Sequence, residues 1–318
     1  WRGIAIVYAS KEEIAKRIEE KLKPLYPVSV FRYSEADFER IWKCYDAIIF
    51  TMALSGAVRT VCKYAKSKDV DPAVLVVDDK GKYVIPILGA HWGANELTKL
   101  VSNLLNAEAV ITTASENFGV TSVEELARLL LCKIENIKEI VKVNSAILKG
   151  EKVCVKGIDK LPDNVIGYEI GDDCKYKVII TDSLPSLLDE NTVYLKPYEL
   201  SIGIGSKLET NEETIKKAIE ETLSRLNIPL NRVKVIASIR EKVQHVADEL
   251  GIPFRLVTKE EINSFEDECL TPQSQKLKEI GLKGVAEVSA LIAGGKNSRL
   301  LLRKMVYNGE VTIAIAGF

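Results

Sequence analysis

Hydrophobic and polar positions follow two alternating periods along the first third of the chain. The apolar run Ile4 to Tyr8 is short and rich in β-branched residues, which predicts a buried strand. Ser10 and Glu13 then have the spacing of a capping box, which predicts a helix that ends near Lys23. The alternation of strand-like and helix-like segments continues and predicts a three-layer α/β domain over residues 1–116.

Two places in the chain carry hairpin signals inside this alternation. The apolar runs Ala73 to Val77 and Tyr83 to Leu88 are joined by an Asp-Asp-Lys-Gly turn, which predicts an antiparallel pair. Asn308-Gly309 lies between two apolar runs near the end of the chain and is typical of a type I′ turn. Ala109 to Thr112 is predicted to be the last strand of the first domain.

The periods change after the first domain. Residues 117–196 hold two helical segments and short apolar runs broken by glycine and proline, which predicts a smaller middle domain that ends in a linker. Residues 197–318 return to alternating strand and helix periods. The predicted helix-start pairs there are Thr210 with Glu213 and Thr258 with Glu261. The predicted fold class is therefore α/β, with two three-layer α/β domains joined by a smaller α+β middle domain.

Charge and hydropathy exclude several classes of partner. Lys plus Arg total 44 and Asp plus Glu total 45, so the chain has no net field that would attract nucleic acid or an anionic membrane. The longest apolar stretch, Ala47 to Val58, falls short of the roughly 20 residues that span a bilayer. The first residues lack the pattern of a signal peptide. We expect no nucleic acid, no membrane and a cytoplasmic location.

Cysteine and histidine usage argues against a metal held by the protein. The cysteines have no C-x-x-C spacing, which favours reduced structural thiols over a zinc site or a redox pair. Only His91 and His245 occur, which excludes a His-rich metal site, and His245 is expected to pack on a helix. The stretch Gly203 to Ser206 lacks the third glycine of a dinucleotide fingerprint and the Gly-Lys-Ser/Thr of a P-loop.

The segment from Gly89 to Glu96 lies between a predicted strand and a predicted helix, where open α/β sheets bind ligands. Small residues at Gly89 and Gly93 would let a ligand approach the backbone. His91 would lie near a helix N-terminus, whose partial positive charge favours a neutral imidazole able to act as a base. In the alternative interpretation, the glycines only form a tight turn and His91 satisfies a local carbonyl.

Two further strand ends carry polar side chains. Thr112, Thr113 and Ser115 follow a predicted strand, where hydroxyls can bind acidic groups or a developing oxyanion, or can simply cap a turn. Ser55 and Arg59 lie where another strand leads into a helix. Arg59 could pair with a substrate carboxylate, although a solvated surface arginine is the more common case.

Several segments, taken in order and spacing, resemble the CbiG family of cobalamin biosynthesis. In the first half these are Asp71 to Asp78, Lys80 to Leu88, His91 to Glu96 and Val110 to Ser115. The second half adds Gly203-Ile204-Gly205, Thr271-Pro272, Val285-Ala286-Glu287 and Arg303 to Ala316. The resemblance covers nearly the whole chain.

The resemblance implies a cobalt-precorrin-5A hydrolase, which opens the δ-lactone of its substrate and releases acetaldehyde to give cobalt-precorrin-5B. This chemistry needs water attack on a carbonyl, donors for an oxyanion and a base for the freed alcohol. We assign the base to His91 and orienting or oxyanion-donor roles to Asn95, Thr112, Thr113 and Ser115. The other predicted substrate contacts are Ser55, Arg59, Gly89, Gly93, Glu96, Gly203, Gly205, Lys207 and Lys304, in which the three basic side chains would bind carboxylates.

The resemblance also implies that the protein needs no cofactor of its own, because the cobalt arrives within the substrate. The expected partners are a cobalt-corrinoid intermediate and neighbouring enzymes of the pathway. Two other classes of function remain open. One is a noncatalytic corrin-binding protein of the same pathway, since the glycine turn at His91 is one residue shorter than the family pattern. The other is an α/β binding protein for a different polyanionic metabolite.

Overall fold

The computed structural model describes residues 1–67, 70–112, 120–163 and 165–318, with only the backbone described at His91 and Lys276. Within these ranges the chain forms three β-sheets with helices packed on them. The elements of the first sheet are β1 Ile4–Tyr8, α1 Glu13–Leu22, β2 Val28–Arg32, α2 Phe38–Cys44, β3 Ala47–Thr51, α3 Leu54–Tyr64, β4 Ala73–Val77, β5 Tyr83–Leu88, α4 Ala94–Leu105 and β6 Glu108–Ala109.

The first sheet has the strand order β2-β1-β3-β4-β5-β6. Its neighbouring strands are parallel except for β4 and β5, which pair antiparallel as the hairpin signal predicted. The Asp78 carboxylate holds the turn by accepting hydrogen bonds from the backbone N–H groups of Lys80, Lys82 and Tyr83. Strands β3 and β4 are buried along their whole length, which explains why they are continuous apolar runs.

Two predictions in this domain are wrong in detail. Helix α1 begins at Glu13 itself, its N-cap is Glu12 without a side-chain hydrogen bond, and Ser10 lies outside the helix. Glu13 therefore cannot take the third helical position that a capping box requires. Strand β6 is confined to Glu108–Ala109, because as the edge strand it pairs only with the first two residues of β5.

The second sheet has the strand order β7-β11-β10-β8-β9, in which only β7 runs antiparallel to its neighbour. Its elements are α5 Val123–Leu129, β7 Cys132–Ile134, α6 Ile140–Leu148, β8 Val153–Lys156, β9 Glu169–Ile170, β10 Tyr176–Ile180 and β11 Thr192–Pro197. Fully buried Val123, Leu126 and Val143 pack the two helices against the sheet. The end of the predicted linker instead supplies strand β11.

The third sheet has the strand order β14-β13-β12-β16-β15. Its elements are β12 Leu200–Ser206, α7 Glu212–Arg225, β13 Val233–Ser238, α8 Val243–Glu249, β14 Phe254–Leu256, α9 Lys259–Ser264, α10 Gln275–Glu279, α11 Ala286–Gly294, β15 Arg299–Tyr307 and β16 Val311–Gly317. Asn308 and Gly309 have φ angles of 50° and 65° between β15 and β16, so the predicted type I′ hairpin is confirmed.

The two predicted helix starts of this domain have different outcomes. Thr258 and Glu261 form a complete capping box at α9, as predicted. At α7 the prediction of Thr210 is wrong, because the neighbouring Asn211 is the N-cap and accepts a hydrogen bond from the Thr214 N–H at 2.7 Å. Both residue types can cap a helix, so the spacing alone allowed two adjacent starts.

The predicted α/β fold class is confirmed by these three sheets. The first and third sheets belong to one compact unit made of residues 1–89, 96–110 and 199–318, whereas residues 90–95 and 111–198 form a second unit. The domain boundaries after residues 116 and 196 stay predictions. No helix in the described ranges is long and apolar enough to cross a membrane. The same residues contain no group of three or more His, Cys, Asp or Glu side chains placed to hold a metal ion.

Four of the six cysteines form disulfides, which corrects the prediction of reduced thiols. Cys44 at the end of α2 is bonded to Cys269 in the loop before α10, and Cys154 in β8 is bonded to Cys174. The partners are separated by 225 and 20 residues along the chain, so neither pair has a local spacing signal. Cys62 and Cys132 remain thiols.

Candidate functional site

A pocket of about 760 Å³ lies between the carboxyl end of β12 and the segment 23–28 that follows α1. We call it the β12 pocket. Its other walls come from α10, the start of α11, β15 and the beginning of β16. All of these elements belong to the compact unit that contains the first and third sheets. The volume falls within the range of small-molecule sites, roughly 300–1,000 Å³.

The lining of the β12 pocket is rich in basic side chains. The lining contains six basic and three acidic residues, although the whole chain has a net charge of −1. The basic residues are Lys23, Lys207, Arg240, Lys259, Lys283 and Lys304, and the acidic residues are Glu209, Glu287 and Glu310. Such a local excess of positive charge suits a ligand that carries several carboxylates.

The loop 207–210 at the rim of the pocket is held by Lys242. The Lys242 ammonium donates hydrogen bonds to three carbonyl oxygens of this loop, at distances of 3.3, 2.7 and 2.5 Å. Next to this loop, the side-chain oxygen Oγ of Ser206 and the Nε of Arg240 are buried and make no hydrogen bond with the described part of the chain. Both residues line the pocket, but these two atoms are themselves covered by neighbouring protein atoms.

Glu287, in the first turn of α11, organises one wall of the pocket. It is only 4% exposed, and its Oε2 accepts a hydrogen bond from the Thr271 N–H at 2.7 Å. Its Oε1 accepts from the Thr271 hydroxyl at 2.5 Å and from the Lys304 backbone N–H at 3.0 Å. The buried carboxylate therefore fastens the loop before α10 to strand β15.

Arg303 links this wall to the first sheet. It is 4% exposed and donates hydrogen bonds to the Thr271 hydroxyl at 3.1 Å and to the Cys44 carbonyl oxygen at 3.0 Å. Its guanidinium also lies 3.9 Å from the centre of the Tyr45 ring, within the range of a cation–π contact. Burial raises the pKa of the Tyr45 hydroxyl, while the Arg303 charge lowers it.

Lys304 is half-buried in the pocket wall, whereas the other four lysines of the lining are exposed. Burial lowers the pKa of Lys304, and the charges of Lys23 and Arg303 lower it further, while Glu287 acts in the opposite direction. The Lys304 side chain makes no hydrogen bond or ion pair with any residue that the structure describes. These surroundings favour a neutral amine more than an exposed position does.

The structure brings only some of the predicted substrate residues into the β12 pocket. Gly205, Lys207 and Lys304 line it. Gly203 does not, and a Cβ at this position would lie 1.9 Å from the Ala286 carbonyl oxygen in α11. Close packing of β12 on α11 explains this glycine without a ligand.

The predicted residues of the first domain lie elsewhere in the same unit. Ser55 and Arg59 are exposed on α3, and neither lines the β12 pocket. Gly89 has a φ of 82°, and a Cβ there would lie 2.5 Å from the Ala73 Cα of β4. This glycine is required by backbone conformation and by the close approach of two strands. Glu96 is exposed on α4 and is also absent from the pocket lining.

The predicted catalytic residues are only partly described. The His91 backbone lies in the short 3₁₀ turn Ala90–Trp92, and Gly93 follows it with a φ of 84°. Asn95 is buried in the first turn of α4, and Thr112 is exposed. Thr113 and Ser115 lie outside the described residues, as does the His91 side chain. Their assigned roles stay predictions.

Sequence reasoning missed the hydrogen-bonded set Glu287, Thr271 and Arg303. Each belongs to a segment quoted for the family resemblance, but none was assigned to the site. One signal could have found Glu287, because it is the single charged residue of the apolar helix α11. A lone charge in an apolar helix must be buried with partners or placed at a site.

The fold and the β12 pocket define an α/β protein with a basic site for an anionic ligand. Comparison with known proteins narrows this class. Family models match along most of the chain, namely "Cobalamin synthesis G N-terminal" at residues 36–116, "CbiG-like, linker domain" at residues 121–198 and "Cobalamin synthesis G C-terminus" at residues 200–316.

Individual relatives agree with the family models. A crystal structure of a cobalamin biosynthesis protein G homolog from Sulfolobus solfataricus is 47% identical, has a TM-score of 0.86, and the match covers 100% of this chain and 98% of that one. A cobalt-precorrin-5A hydrolase from Priestia megaterium is 29% identical, over 98% of this chain and 87% of its own length. Another from Salmonella typhimurium is 28% identical, over 70% of this chain and 69% of its own length. The chain belongs to the CbiG family of cobalamin biosynthesis.

Proposed function

We propose that this chain is a cobalt-precorrin-5A hydrolase, which opens the δ-lactone of its substrate and releases acetaldehyde. The observation that carries the proposal is the β12 pocket, whose lining holds six basic and three acidic side chains. The chain as a whole has almost no net charge. A corrin intermediate presents several carboxylates around its edge, and arginine and lysine are the side chains that bind such groups. Relatives named as this hydrolase align over most of the chain, which favours catalysis over the noncatalytic alternative.

The proposal also covers the source of the cobalt, the contribution of the protein and its location in the cell. The cobalt is carried by the substrate, and the protein contributes binding, orientation and proton transfer. Exposed lysines form the rim of the pocket, so one edge of a flat macrocycle can bind there while the rest extends into solvent. A cytoplasmic location and transfer of the intermediate between neighbouring pathway enzymes belong to the same proposal.

The catalytic assignments made by resemblance are kept as part of this proposal. They give the base role to His91, with Asn95 and Thr113 as orienting or oxyanion-donor groups. His91→Ala separates this assignment from the family function. If turnover of the variant equals that of the unchanged protein, His91 is not the base, whereas the hydrolase function is unaffected.

A single preparation tests the hydrolase function. Purified protein is incubated with cobalt-precorrin-5A, acetaldehyde is measured with a coupled alcohol dehydrogenase and NADH, and corrinoid absorbance is titrated in parallel. We expect an optical shift on binding and one acetaldehyde per substrate consumed, with heat-denatured protein as the control. An optical shift without acetaldehyde would support the noncatalytic corrin-binding protein. Absence of both signals would favour a different polyanionic metabolite.

A further inference from the structure

Lys304 differs from the other lysines of the β12 pocket in its surroundings. Lys23, Lys207, Lys259 and Lys283 are exposed at the rim, where a charged ammonium stays hydrated. Lys304 is half-buried on β15 and has no ion-pair partner among the residues described. An unpaired ammonium loses hydration on burial, so the pKa of Lys304 lies below that of an exposed lysine.

Glu287 is the carboxylate that acts on the pKa of Lys304, but it forms no ion pair with the amine. Glu287 accepts three hydrogen bonds, of which two come from Thr271 and one from the Lys304 backbone N–H. No hydrogen bond or ion pair joins it to the Lys304 Nζ, although its charge raises the pKa of Lys304. Lys23 and Arg303 are the other charged groups that act on the amine, and both lower the pKa of Lys304. The pocket wall formed by β15 and α11 therefore contains the Lys304 amine without an ion-pair partner among the described residues.

Two residues of the pocket lining contain polar side-chain atoms without a hydrogen-bond partner. The Nε of Arg240 and the Oγ of Ser206 are buried in the pocket lining and have no partner in the described part of the chain. A donor that is buried without a partner is costly unless a ligand satisfies it. Both atoms are covered by protein in this structure, so they would reach a bound carbonyl only after a side-chain rotation.

We propose that Lys304 is the general base of the lactone hydrolysis, and that the exposed lysines around it bind the carboxylates of the substrate. This inference rests on the proposed function and adds a catalytic residue to it. It changes the role of Lys304 from a carboxylate contact to a proton acceptor. A group with this role must be neutral when the substrate binds and must lie beside the reacting carbonyl.

The proton transfers balance in two steps. In the first, the neutral amine takes a proton from water while the water oxygen bonds to the lactone carbonyl carbon. The tetrahedral oxyanion then collapses, the bond from the acyl carbon to the ring oxygen breaks, and the ammonium returns its proton to the leaving alkoxide. Water is consumed, and a carboxylic acid and an alcohol are formed while the amine is regenerated.

The second step releases the two-carbon fragment. The base assigned above to His91 removes the proton of the new hydroxyl, the carbon–carbon bond breaks and acetaldehyde leaves. The electron pair of that bond enters the conjugated macrocycle, which takes up the proton from this base. No oxidant or reductant is required, and the enzyme returns to its starting state.

The main experiment compares Lys304→Arg, Lys304→Met and, as a control outside the pocket, Lys217→Arg on the exposed face of α7 by their kinetic constants for acetaldehyde release. Arginine keeps the positive charge and the capacity to bind carboxylates, but it cannot act as a base near neutral pH. We expect kcat to fall about 10²–10⁴-fold in both Lys304 variants, with KM changed less than about threefold. Lys217→Arg should keep both kcat and KM. If Lys304→Arg keeps kcat and only Lys304→Met raises KM, Lys304 is a carboxylate contact and the inference is overturned.

The pH dependence gives an independent readout on the unchanged protein. A neutral amine acts as base, so kcat/KM should rise with pH through the lowered pKa of Lys304. This rising limb should be missing from the residual activity of Lys304→Arg. A cationic carboxylate contact predicts the opposite slope, because activity would fall as the ammonium loses its proton. That slope would overturn the inference.

A measurement without substrate separates this inference from the proposed function. Lysines of the intact protein are reductively methylated with ¹³C-formaldehyde, and the Lys304 signal is identified by its absence in Lys304→Arg. We expect this signal to titrate below the pKa of an exposed lysine, and Lys304→Met supplies the assignment if Lys304→Arg does not fold. A Lys304 amine with an ordinary pKa overturns the inference. Failure of the proposed function instead appears as an unchanged protein that binds substrate and releases no acetaldehyde.

Discussion

The β12 pocket and the connection between β5 and α4 illustrate two ways in which a glycine-containing segment follows a strand. The connection, residues 89–96, is continuous in sequence, and Gly89 in it is required by the close approach of β4. The pocket instead combines residues from Lys23 to Thr312, and an added Cβ at Gly205 would lie 2.5 Å from the Thr312 Oγ1 of β16. A glycine in these segments therefore indicates a tight backbone contact. The chemistry of the pocket depends instead on which side chains, distant in sequence, lie around it.

The two regions also differ in how their basic residues are used. Arg59 was predicted as a carboxylate contact of the first domain, yet it lies exposed on α3 and outside the pocket lining. Lys207 and Lys304 were predicted for the same role, and both line the β12 pocket. Four expected outcomes concern the residues of and around the β12 pocket, beginning with the largest effect, and the last of them tests Arg59 against Lys207.

The largest effect should come from the disulfide beside the pocket, since Cys269 lies two residues before Thr271. Replacing Cys44 and Cys269 with alanine should lower the free energy of unfolding by about 5 kcal/mol, because the bond closes a chain separation of 225 residues. The same change at Cys154 and Cys174 should lower it by about 3 kcal/mol, since that separation is 20 residues.

Hydrogen exchange measured by mass spectrometry in increasing urea follows the two units separately. Peptides from β12 should report the first disulfide, and peptides from β10 should report the second. Equal losses for the two double variants would contradict the chain-entropy argument. A loss for the first pair smaller than for the second would mean that residual structure in the unfolded chain already holds Cys44 near Cys269.

The next largest effect concerns Gly203, which sequence reasoning assigned to substrate binding. Gly203→Ala should lower the free energy of unfolding by about 3 kcal/mol, because the added Cβ would overlap the Ala286 carbonyl oxygen. Gly284→Ala is the matched control, since its Cβ would meet only the Val288 Cγ2 at 3.7 Å. Urea unfolding checks both variants. A stable Gly203→Ala protein with a raised KM would restore the substrate role and contradict the packing explanation.

Glu287→Gln should have an intermediate effect. The amide keeps the shape of the carboxylate but replaces one acceptor oxygen with a donor, so one of the three hydrogen bonds is lost and a buried donor is left unsatisfied. We expect a loss of about 2 kcal/mol in the free energy of unfolding, with exposed Glu310→Gln as the control.

The same variant should move the pH profile. Glu287 raises the pKa of Lys304, so removal of its charge should lower that pKa and shift the rising limb of kcat/KM to lower pH. Measurement of kcat/KM across the pH range checks the direction. A shift to higher pH would show that the carboxylate does not act on the Lys304 amine.

The smallest effect should come from the rim of the pocket. Lys207→Met should raise KM about fivefold, close to 1 kcal/mol of binding free energy, and leave kcat unchanged, because an exposed charge contributes little. Arg59→Met should change neither constant. The reverse result, with Arg59→Met raising KM and Lys207→Met silent, would move the substrate site to the carboxyl end of β3.

Local chemistry explains which structural predictions succeeded. The hairpins at Asp78 and at Asn308-Gly309 were predicted, because the turn residues themselves satisfy the backbone or adopt positive φ. The Thr258 cap was predicted for the same reason. Ser10 and Thr210 were wrong as caps, because several nearby residues can start a helix and packing of the helix selects one of them.

The candidate site was harder to predict than the fold. Gly205, Lys207 and Lys304 were assigned to substrate from the resemblance, and the structure brings them to one pocket. Nothing local marks Glu287 as the acceptor for Thr271, since the two residues meet only when α11 packs beside β15. Lys304 likewise shares its pocket with the segment 23–28, which is remote in the sequence.

The sequence alone was enough to predict the α/β class, the alternation of strand and helix periods, both hairpins and the CbiG family, because these depend on local periodicity and on residues in fixed order. The tertiary structure was needed to show that Cys44 meets Cys269, that Glu287 is buried with three donors, and that one of five pocket lysines is half-buried. Disulfide pairing, desolvation and charge interaction depend on distance in space. Separation along the chain, which is 16 residues for Glu287 and Thr271 and 225 for Cys44 and Cys269, does not reveal that distance.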